Sequence, residues 1–260
     1  MINNASRFTN VTLLVTHYNR SNSLKRLLET FSGMGFVFGD IVVSDDGSRP
    51  EHLAALHKLQ KTTPFRLIQT PVNKGLGNNI NKGQDAVKTS YTLYVQEDFV
   101  PKPLFAARFK DALNLMEERL DLDMVRFYAY FKYPYLKPIE KGFSEMVFSP
   151  FPWYWGYRKF YSYSDHPHLR RSNFLEKFGR YPEGIKGDAT EYKMMMSFLQ
   201  KKGKGLFYED FQGLFDQVNS EEEPSTMKRE YWRQTDNPFI TFIRNVYRYI
   251  KFNYDLHFSK

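Results

Sequence analysis

Three short apolar runs, each ending in polar or acidic residues, constrain this chain more than any other feature. Val11-Thr12-Leu13-Leu14-Val15-Thr16 runs into His17-Tyr18-Asn19-Arg20, and Ile41-Val42-Val43-Ser44 into Asp45-Asp46-Gly47-Ser48. Tyr91-Thr92-Leu93-Tyr94-Val95-Gln96 runs into Glu97-Asp98. β-Branched apolar runs of this length, separated by helix-like stretches, are the sequence form of parallel strands buried on both faces. In an α/β sheet a ligand sits beyond the carboxyl ends of such strands. Three matched ends therefore mark one edge of one sheet as the place to look for function.

The segments between the runs fit this reading. Leu24, Leu27, Leu28 and Phe31 have helical spacing after a Ser21 or Ser23 cap, and Gly33 and Gly35 stop that helix. Pro50 opens a second helix with Leu53, Leu56 and Leu59 on one face. Phe65–Gln69 reads as a strand, 80–87 as a helix and 104–119 as another. The β-α alternation predicts a doubly wound, mainly parallel α/β sheet. Past Asp121 a strand is expected over 124–131, followed by irregular strands and loops over the aromatic- and proline-rich 131–164. Helices are expected over 171–178 and 189–201, a last short strand over 206–208, and a solvated break at Glu221-Glu222-Glu223-Pro224. The boundaries predicted are 1–120 and 121–227, two halves of one domain, and 228–260, a basic aromatic tail.

Composition narrows the class. A chain of 260 residues, 42% hydrophobic and 17% aromatic, has ample material for a core, which excludes global disorder. The absence of cysteine removes disulfides, thiolate nucleophiles and Cys-based zinc sites, and suits a reducing compartment. No signal-peptide core opens the chain and no run approaches the roughly 18 apolar residues of a membrane span, so a soluble or peripheral, cytoplasmic protein is expected. Half of the formal charge of +8 lies in residues 228–260. Nucleic acid is not the expected partner, because no recognised binding motif accompanies the charge.

Each strand end has a functional and a plain reading. Asp45-Asp46-Gly47-Ser48 is either a turn or a pair of carboxylates for a ribose hydroxyl or base N–H, and the strand leading into it favours the ligand. Thr16-His17-Tyr18-Asn19-Arg20 offers a hydroxyl, a stacking ring and a cation, although Asn19 or Ser21 could equally cap the next helix. Asn73-Lys74-Gly75-Leu76-Gly77 lacks the G-x-G-x-x-G and P-loop patterns, yet its glycines and lysines can cradle phosphate at a helix start. Glu97-Asp98 offers two hard oxygen donors suited to Mg²⁺ or Mn²⁺. Asp188 is either a helix N-cap, with Glu191 completing a capping box, or a general base at a helix mouth. His166-Pro167-His168 lacks metal-ligand spacing and is read as a turn near the cleft.

Taken in order, these residues resemble the family 2 glycosyltransferases of the GT-A fold. Val11–Arg20 is similar to the first-strand block, Ile41–Ser48 to the D-D-G-S block, and Asn73-x-Gly75-x-x-x-Asn79-x-Asn81-x-Gly83 to the helix block. Tyr94–Asp98 falls where that family has D-x-D. The resemblance is strong to about residue 100 and continuous to about 215. It implies a GT-A, Rossmann-like fold and an inverting transferase using a UDP-, GDP- or dTDP-sugar, in envelope polysaccharide synthesis on a glycan or lipid-linked acceptor. Carried over, it places Thr16, Tyr18, Asn19, Arg20, Asp45, Asp46, Gly47, Asn73, Lys74, Gly75 and Asn81 at the donor. It places Asp98, with Glu97, on Mg²⁺ or Mn²⁺, and favours Asp188 over Glu191 as the base.

There are departures from the family pattern. Gln96 replaces the first aspartate of D-x-D, Asn79 stands for an alanine, Ile80 for an arginine, and Gly187 for the glutamate before the base. No histidine lies near Phe215-Asp216-Gln217. A catalytically weakened protein that binds a sugar nucleotide without turning it over is the alternative. Trp153 and Trp155, in an aromatic cluster, are expected either to pack on acceptor sugar rings or to fill the core. In the tail, Phe239, Phe242, Ile243, Val246, Tyr247 and Ile250 recur at helical spacing beside Arg244, Arg248 and Lys251. Such a helix either docks on the domain or lies against a membrane at its inner face, and the aromatics of 249–254 tip the expectation towards the membrane.

Overall fold

Alternation along the central strands builds a sheet buried on both sides. In β1 (Ser6–His17), Leu13 and Val15 point into one core and Leu14 into another; Val43 and Val42 divide the same way in β2 (Phe36–Asp45), as do Leu93, Val95 and Tyr94 in β4 (Tyr91–Gln96). Period-2 side chains on a strand covered from both sides give this pattern. The computed structural model describes residues 6–148, 162–219, 223 and 238–258.

The first core lies under α1 (Ser21–Gly33), α2 (Pro50–Gln60) and α4 (Phe105–Glu118). The second lies under α3 (Leu76–Asp85), α5 (Phe174–Phe178) and α6 (Gly187–Gln200). With β3 (Arg66–Gln69), β6 (Met124–Arg126), β7 (Leu136–Pro138), β8 (Phe143–Met146), β9 (His168–Arg171) and β10 (Gly205–Tyr208), the strands form one nine-stranded sheet. Its order is β3-β2-β1-β4-β9-β6-β10-β8-β7. Neighbouring pairs β3-β2, β2-β1, β1-β4 and β6-β10 are parallel, and β9 and β8 run against their neighbours. A doubly wound, mainly parallel sheet is the observed architecture. The order reverses at β1, which has β2 on one side and β4 on the other, and that is the crevice where such sheets bind ligands. A separate pair, β5 (Phe99–Pro101) and β11 (Phe215–Gln217), lies beyond it.

Several expectations need correction. The strand expected over 124–131 ends at Arg126, and the helix expected over 171–178 is a strand through Arg171 followed by a short helix from Phe174. β9 was hidden because its sequence, His168-Leu169-Arg170-Arg171, has no apolar alternation; Arg170 is nonetheless fully buried. Its guanidinium donates to Gln84 Oε1 at 2.8 Å and Tyr181 Oη at 3.1 Å and lies over the rings of Tyr94, Phe174 and Tyr181. Those partners make the burial tolerable. The supposed solvated break at 221–224 contains Glu223, which is buried. Trp153 and Trp155 lie outside the described residues.

The C-terminal helix α7 (Pro238–Phe258) packs against α6. Asp255 accepts from Tyr192 Oη at 2.7 Å, Gln200 Nε2 donates to the Asp255 carbonyl at 3.0 Å, and Phe252 enters the second core. No helix among the described residues is long and apolar enough to cross a membrane.

Candidate active site

The parallel register puts the three polar ends side by side. His17 is level with Asp45, and Thr16 with both Ser44 and Gln96. The turn beyond each strand is tied down by its own side chains. Asp45, with no exposed surface, accepts from His17 Nδ1 at 2.8 Å, Ser48 Oγ at 2.5 Å and the backbone N–H groups of Gly47 and Ser48 at 3.1 and 3.0 Å. His17 Nε2 accepts from the Arg20 N–H at 3.2 Å, which assigns the ring proton to Nδ1. Burial pushes the Asp45 carboxyl up, but the bonds from His17 and Ser48 hold it below the usual carboxylate range. Asp45 is thus wholly engaged in setting the turn.

The next residue sets the next loop. Asp46 accepts from the backbone N–H groups of Lys74 and Gly75 at 2.9 and 2.8 Å, fastening the loop before α3 beside the end of β2. Asn73 Oδ1 also accepts from the Gly75 N–H at 3.0 Å, and the Lys74 side chain is exposed. Gly47 has φ +71°, and a Cβ there would collide with the backbone of Val72 and Asn73, so this contact requires glycine. Asn19, at φ 53°, donates its N–H to Ser48 Oγ and accepts from the Arg49 N–H, both at 2.8 Å. Thr16 Oγ1 lies 3.0 Å from Tyr94 Oη, and Tyr18 is half-buried at the same edge.

Arg20 occupies the centre. Its Nη1 lies 3.3 Å from Asp98 Oδ2 and 3.9 Å from Glu97 Oε1, and its Nη2 donates to Asn219 Oδ1 at 2.6 Å and the Glu223 carbonyl at 3.2 Å. Its Nε is buried without a partner. Gln217 Nε2 donates to Asp98 Oδ2 at 3.0 Å, and the Val218 N–H donates to the Asp98 carbonyl at 2.8 Å. Burial first, and then the charge of Asp98, pushes the Glu97 carboxyl up to about 8, against the pull of Arg20. Two adjacent, buried carboxylates with one guanidinium between them are short of positive charge. That donor set fits a hard divalent cation, whose remaining positions water and phosphate oxygens would fill. Among the described residues no group of three or more His, Cys, Asp or Glu side chains stands ready to hold a metal, so the fit rests on this pair.

A second wall faces the loop before α3. Asn81 donates to the Tyr181 carbonyl at 2.9 Å and Glu183 Oε1 at 2.8 Å, and its Oδ1 accepts from the Tyr181 N–H at 3.0 Å. Asn78 donates to Glu183 Oε2 at 2.7 Å. These bonds hold the 181–187 loop, and with it the start of α6, against the start of α3. Asn81 is therefore spent on the loop. Asp188, half-buried, lies in the first turn of α6. The capping-box reading of Asp188 and Glu191 does not hold, because the N-cap position is Lys186 and no side chain caps there. Glu191 Oε1 instead accepts from the Asp165 N–H at 2.7 Å. Asp165 is buried beside Tyr163, and desolvation raises its carboxyl to about 7.

Three contributors escaped sequence reading. Gln217 reaches Asp98 from β11, Glu183 bridges two helix starts, and Glu223 caps α1. The Glu223 carboxylate accepts from the N–H groups of Asn22 and Ser23, both at 2.9 Å, and from Ser23 Oγ at 2.6 Å. The expected Ser21 or Ser23 side-chain cap is absent, and this distant carboxylate satisfies those orphan donors instead. Only the Glu-Glu-Glu-Pro cluster hinted at it, and charge density pointed the other way.

Comparison with known proteins places this geometry. Residues 12–179 match the profile of "Glycosyl transferase family 2". Among curated proteins, a poly-β-1,6-N-acetyl-D-glucosamine synthase of Staphylococcus aureus is 21% identical over 97 residues, covering 37% of this chain and 24% of that protein. The chain thus spans about a quarter of that relative's length. Among solved structures, S. aureus TarS 1-349 in complex with UDP-GlcNAc aligns with a TM-score of 0.63 at 15% identity, covering 95% of this chain and 73% of that one. The mannosyltransferase PcManGT from Pyrobaculum calidifontis, in complex with GDP-Man and Mn²⁺, aligns with a TM-score of 0.51 at 12% identity, covering 81% and 61%. The likeness to these structures shows a GT-A glycosyltransferase fold. The profile covers well over half of the chain, and this protein belongs to glycosyl transferase family 2.

Proposed function

We propose that this protein transfers a sugar from a nucleotide diphosphate sugar to a hydroxyl of a glycan or lipid-linked acceptor, with inversion, in envelope polysaccharide synthesis at the cytoplasmic face of the membrane. One observation carries the reading. The buried Glu97-Asp98 pair and Arg20 lie at the switch point of the sheet, and the loop that leads into α6, which bears Asp188, is held against the start of α3. A UDP-sugar is the favoured donor, by analogy with the UDP-GlcNAc bound to TarS.

In this reading Tyr18 stacks on the base, and the 73–75 loop, held by Asp46, lines the nucleotide. Asp45 and Asn81 act one step back, by fixing the turn and the 181–187 loop. Arg20, with a spare buried N–H, meets the diphosphate. Asp98, with Glu97, would hold Mg²⁺ or Mn²⁺, which supplies charge neutralisation for the leaving diphosphate. Asp188 takes the proton of the acceptor hydroxyl as that oxygen bonds to the anomeric carbon and the bond to the diphosphate breaks on the opposite face. Glu191, one turn on, holds the 165 backbone and orients the acceptor side.

The weakened, binding-only reading has one specific support: Arg20 already offsets Asp98, and Gln96 removes a carboxylate. A screen of UDP-, GDP- and dTDP-sugars by thermal shift, with and without Mn²⁺, followed by donor hydrolysis, separates the two. Stabilisation by a sugar nucleotide with metal-dependent hydrolysis supports the transferase. Stabilisation without hydrolysis supports the binding protein, and no stabilisation by any of them defeats both.

A further inference from the structure

We propose that α7 is a membrane-docking element, braced on the helix that carries Asp188, whose occupant is an anionic phospholipid surface. Its two faces do different work. Phe252, Asn253 and Asp255 are buried against α6 and its surroundings, whereas Ile243, Val246, Tyr247, Ile250, Tyr254 and Phe258 are 40–73% exposed. At 100° per residue these six fall in a single stripe opposite the docked face. Of the 17 exposed large hydrophobic residues among the described ones, eight belong to α7. A soluble surface rarely gathers such a patch without a partner.

Charge chooses the partner. Arg244, Arg248 and Lys251 follow one flank of the stripe at i, i+4 and i+7, with Asp255 the only carboxylate in the helix. Lys251 is paired with that carboxylate at 2.6 Å and lies over the Tyr192 ring, so it braces α7 on α6. Arg244 and Arg248 also flank the apolar stripe, with aromatic Tyr247 and Tyr254 within it. This is the layout of a helix lying in the plane of an anionic interface. A second copy is the competing occupant, and the oligomeric state read in the test below separates it from a lipid surface. The helix is not built to cross the bilayer.

The brace gives docking a functional direction. Tyr192 and Gln200, which hold α7, lie on the same helix as Asp188. A surface bound through the stripe is one helix layer from the proposed acceptor end. This direction rests on the transferase reading, but the docking itself does not.

Co-sedimentation of the full chain with vesicles tests it, using phosphatidylglycerol-containing and pure phosphatidylcholine vesicles at low and high salt. Binding is expected on the anionic vesicles only, and to weaken with salt. Ile250→Asp/Tyr254→Asp should reduce partitioning by about tenfold or more, and Arg248→Glu by about fivefold. Ile250 and Tyr254 are exposed, so in the stripe variant the melting temperature and the thermal shift given by sugar nucleotides should not change. That shift is the separate readout of the enzymatic reading. Failure of the wild-type chain to bind anionic vesicles at low salt overturns the proposal, as does unaltered binding by the stripe variant. A wild-type dimer that becomes monomeric in the stripe variant and never sediments makes a second copy the occupant, which also overturns it.

Discussion

The side of the crevice proposed to face the donor and the side proposed to face the acceptor are held by bonds of different reach. On the donor side Asp45 bonds residues two and three positions on, and Asp46 bonds a loop 28 and 29 residues away. On the other side Asn81 bonds Tyr181 across 100 residues, Asn78 bonds Glu183 across 105, and Glu223 bonds Asn22 and Ser23 across 201 and 200. Short-range bonds need little chain ordering before they form, whereas long loops must close first. The donor side is therefore a local construction repeated at successive strand ends. The acceptor side exists only once the whole sheet has assembled. Arg20 belongs to both, since it leaves β1 yet grips Asp98, Asn219 and Glu223.

Substitutions on either side should break or sharpen this contrast. The largest effect is expected at Asp98. Asp98→Asn should lower transfer by about 10³-fold, the several kcal/mol that a metal's charge stabilisation supplies, with the fold intact. Turnover measured with Mn²⁺ and in EDTA decides it; near-wild-type turnover in EDTA removes the metal from the mechanism.

Next comes the acceptor wall. Asp188→Asn should reduce kcat by about 10²-fold with donor affinity little changed, the scale of a lost general base. Rate measurements on Asp188→Asn and Glu191→Gln side by side would reverse the assignment if only the latter were impaired.

On the donor side the effect should be on stability. Asp45→Asn removes a charged acceptor from buried His17 and Ser48 and should destabilise by about 2 kcal/mol, read by urea unfolding. Because the Asp45 carboxyl titrates below its unfolded value, its contribution is present above the unfolded pKa and is lost as pH falls through the folded one. The gap between wild type and Asp45→Asn should then narrow in acid, and a gap independent of pH would mean the carboxylate charge is not what holds the turn.

The smallest effect is expected at the longest bond. Glu223→Ala should cost about 1 kcal/mol, the usual scale of a lost helix cap, because water replaces part of what the carboxylate gave. Equilibrium unfolding of the single variant and of Glu223→Ala/Asp45→Asn should give additive losses if the two sides are independent. A coupling of about 1 kcal/mol would show that the two sides act together, with Arg20 and His17 as the link.

The sequence alone determined the elements whose stability is written in period and in local turns. β1, β2 and β4, their acidic ends, α1, α2 and α4, and the apolar stripe of α7 all arise from side-chain alternation, helical spacing and glycine punctuation, which act within a few residues. Tertiary structure decided the rest. Arg170 lies in a central strand because Gln84 and the rings of Tyr94, Phe174 and Tyr181 surround it, and of these only Phe174 and Tyr181 are near it in sequence. Asn81 holds the 181–183 loop because that backbone arrives beside it. Glu223 is buried and not solvated because two helix N–H groups lacked acceptors. In each case a polar side chain found its partner only after folding, and burial with a partner and exposure without one look alike in a sequence.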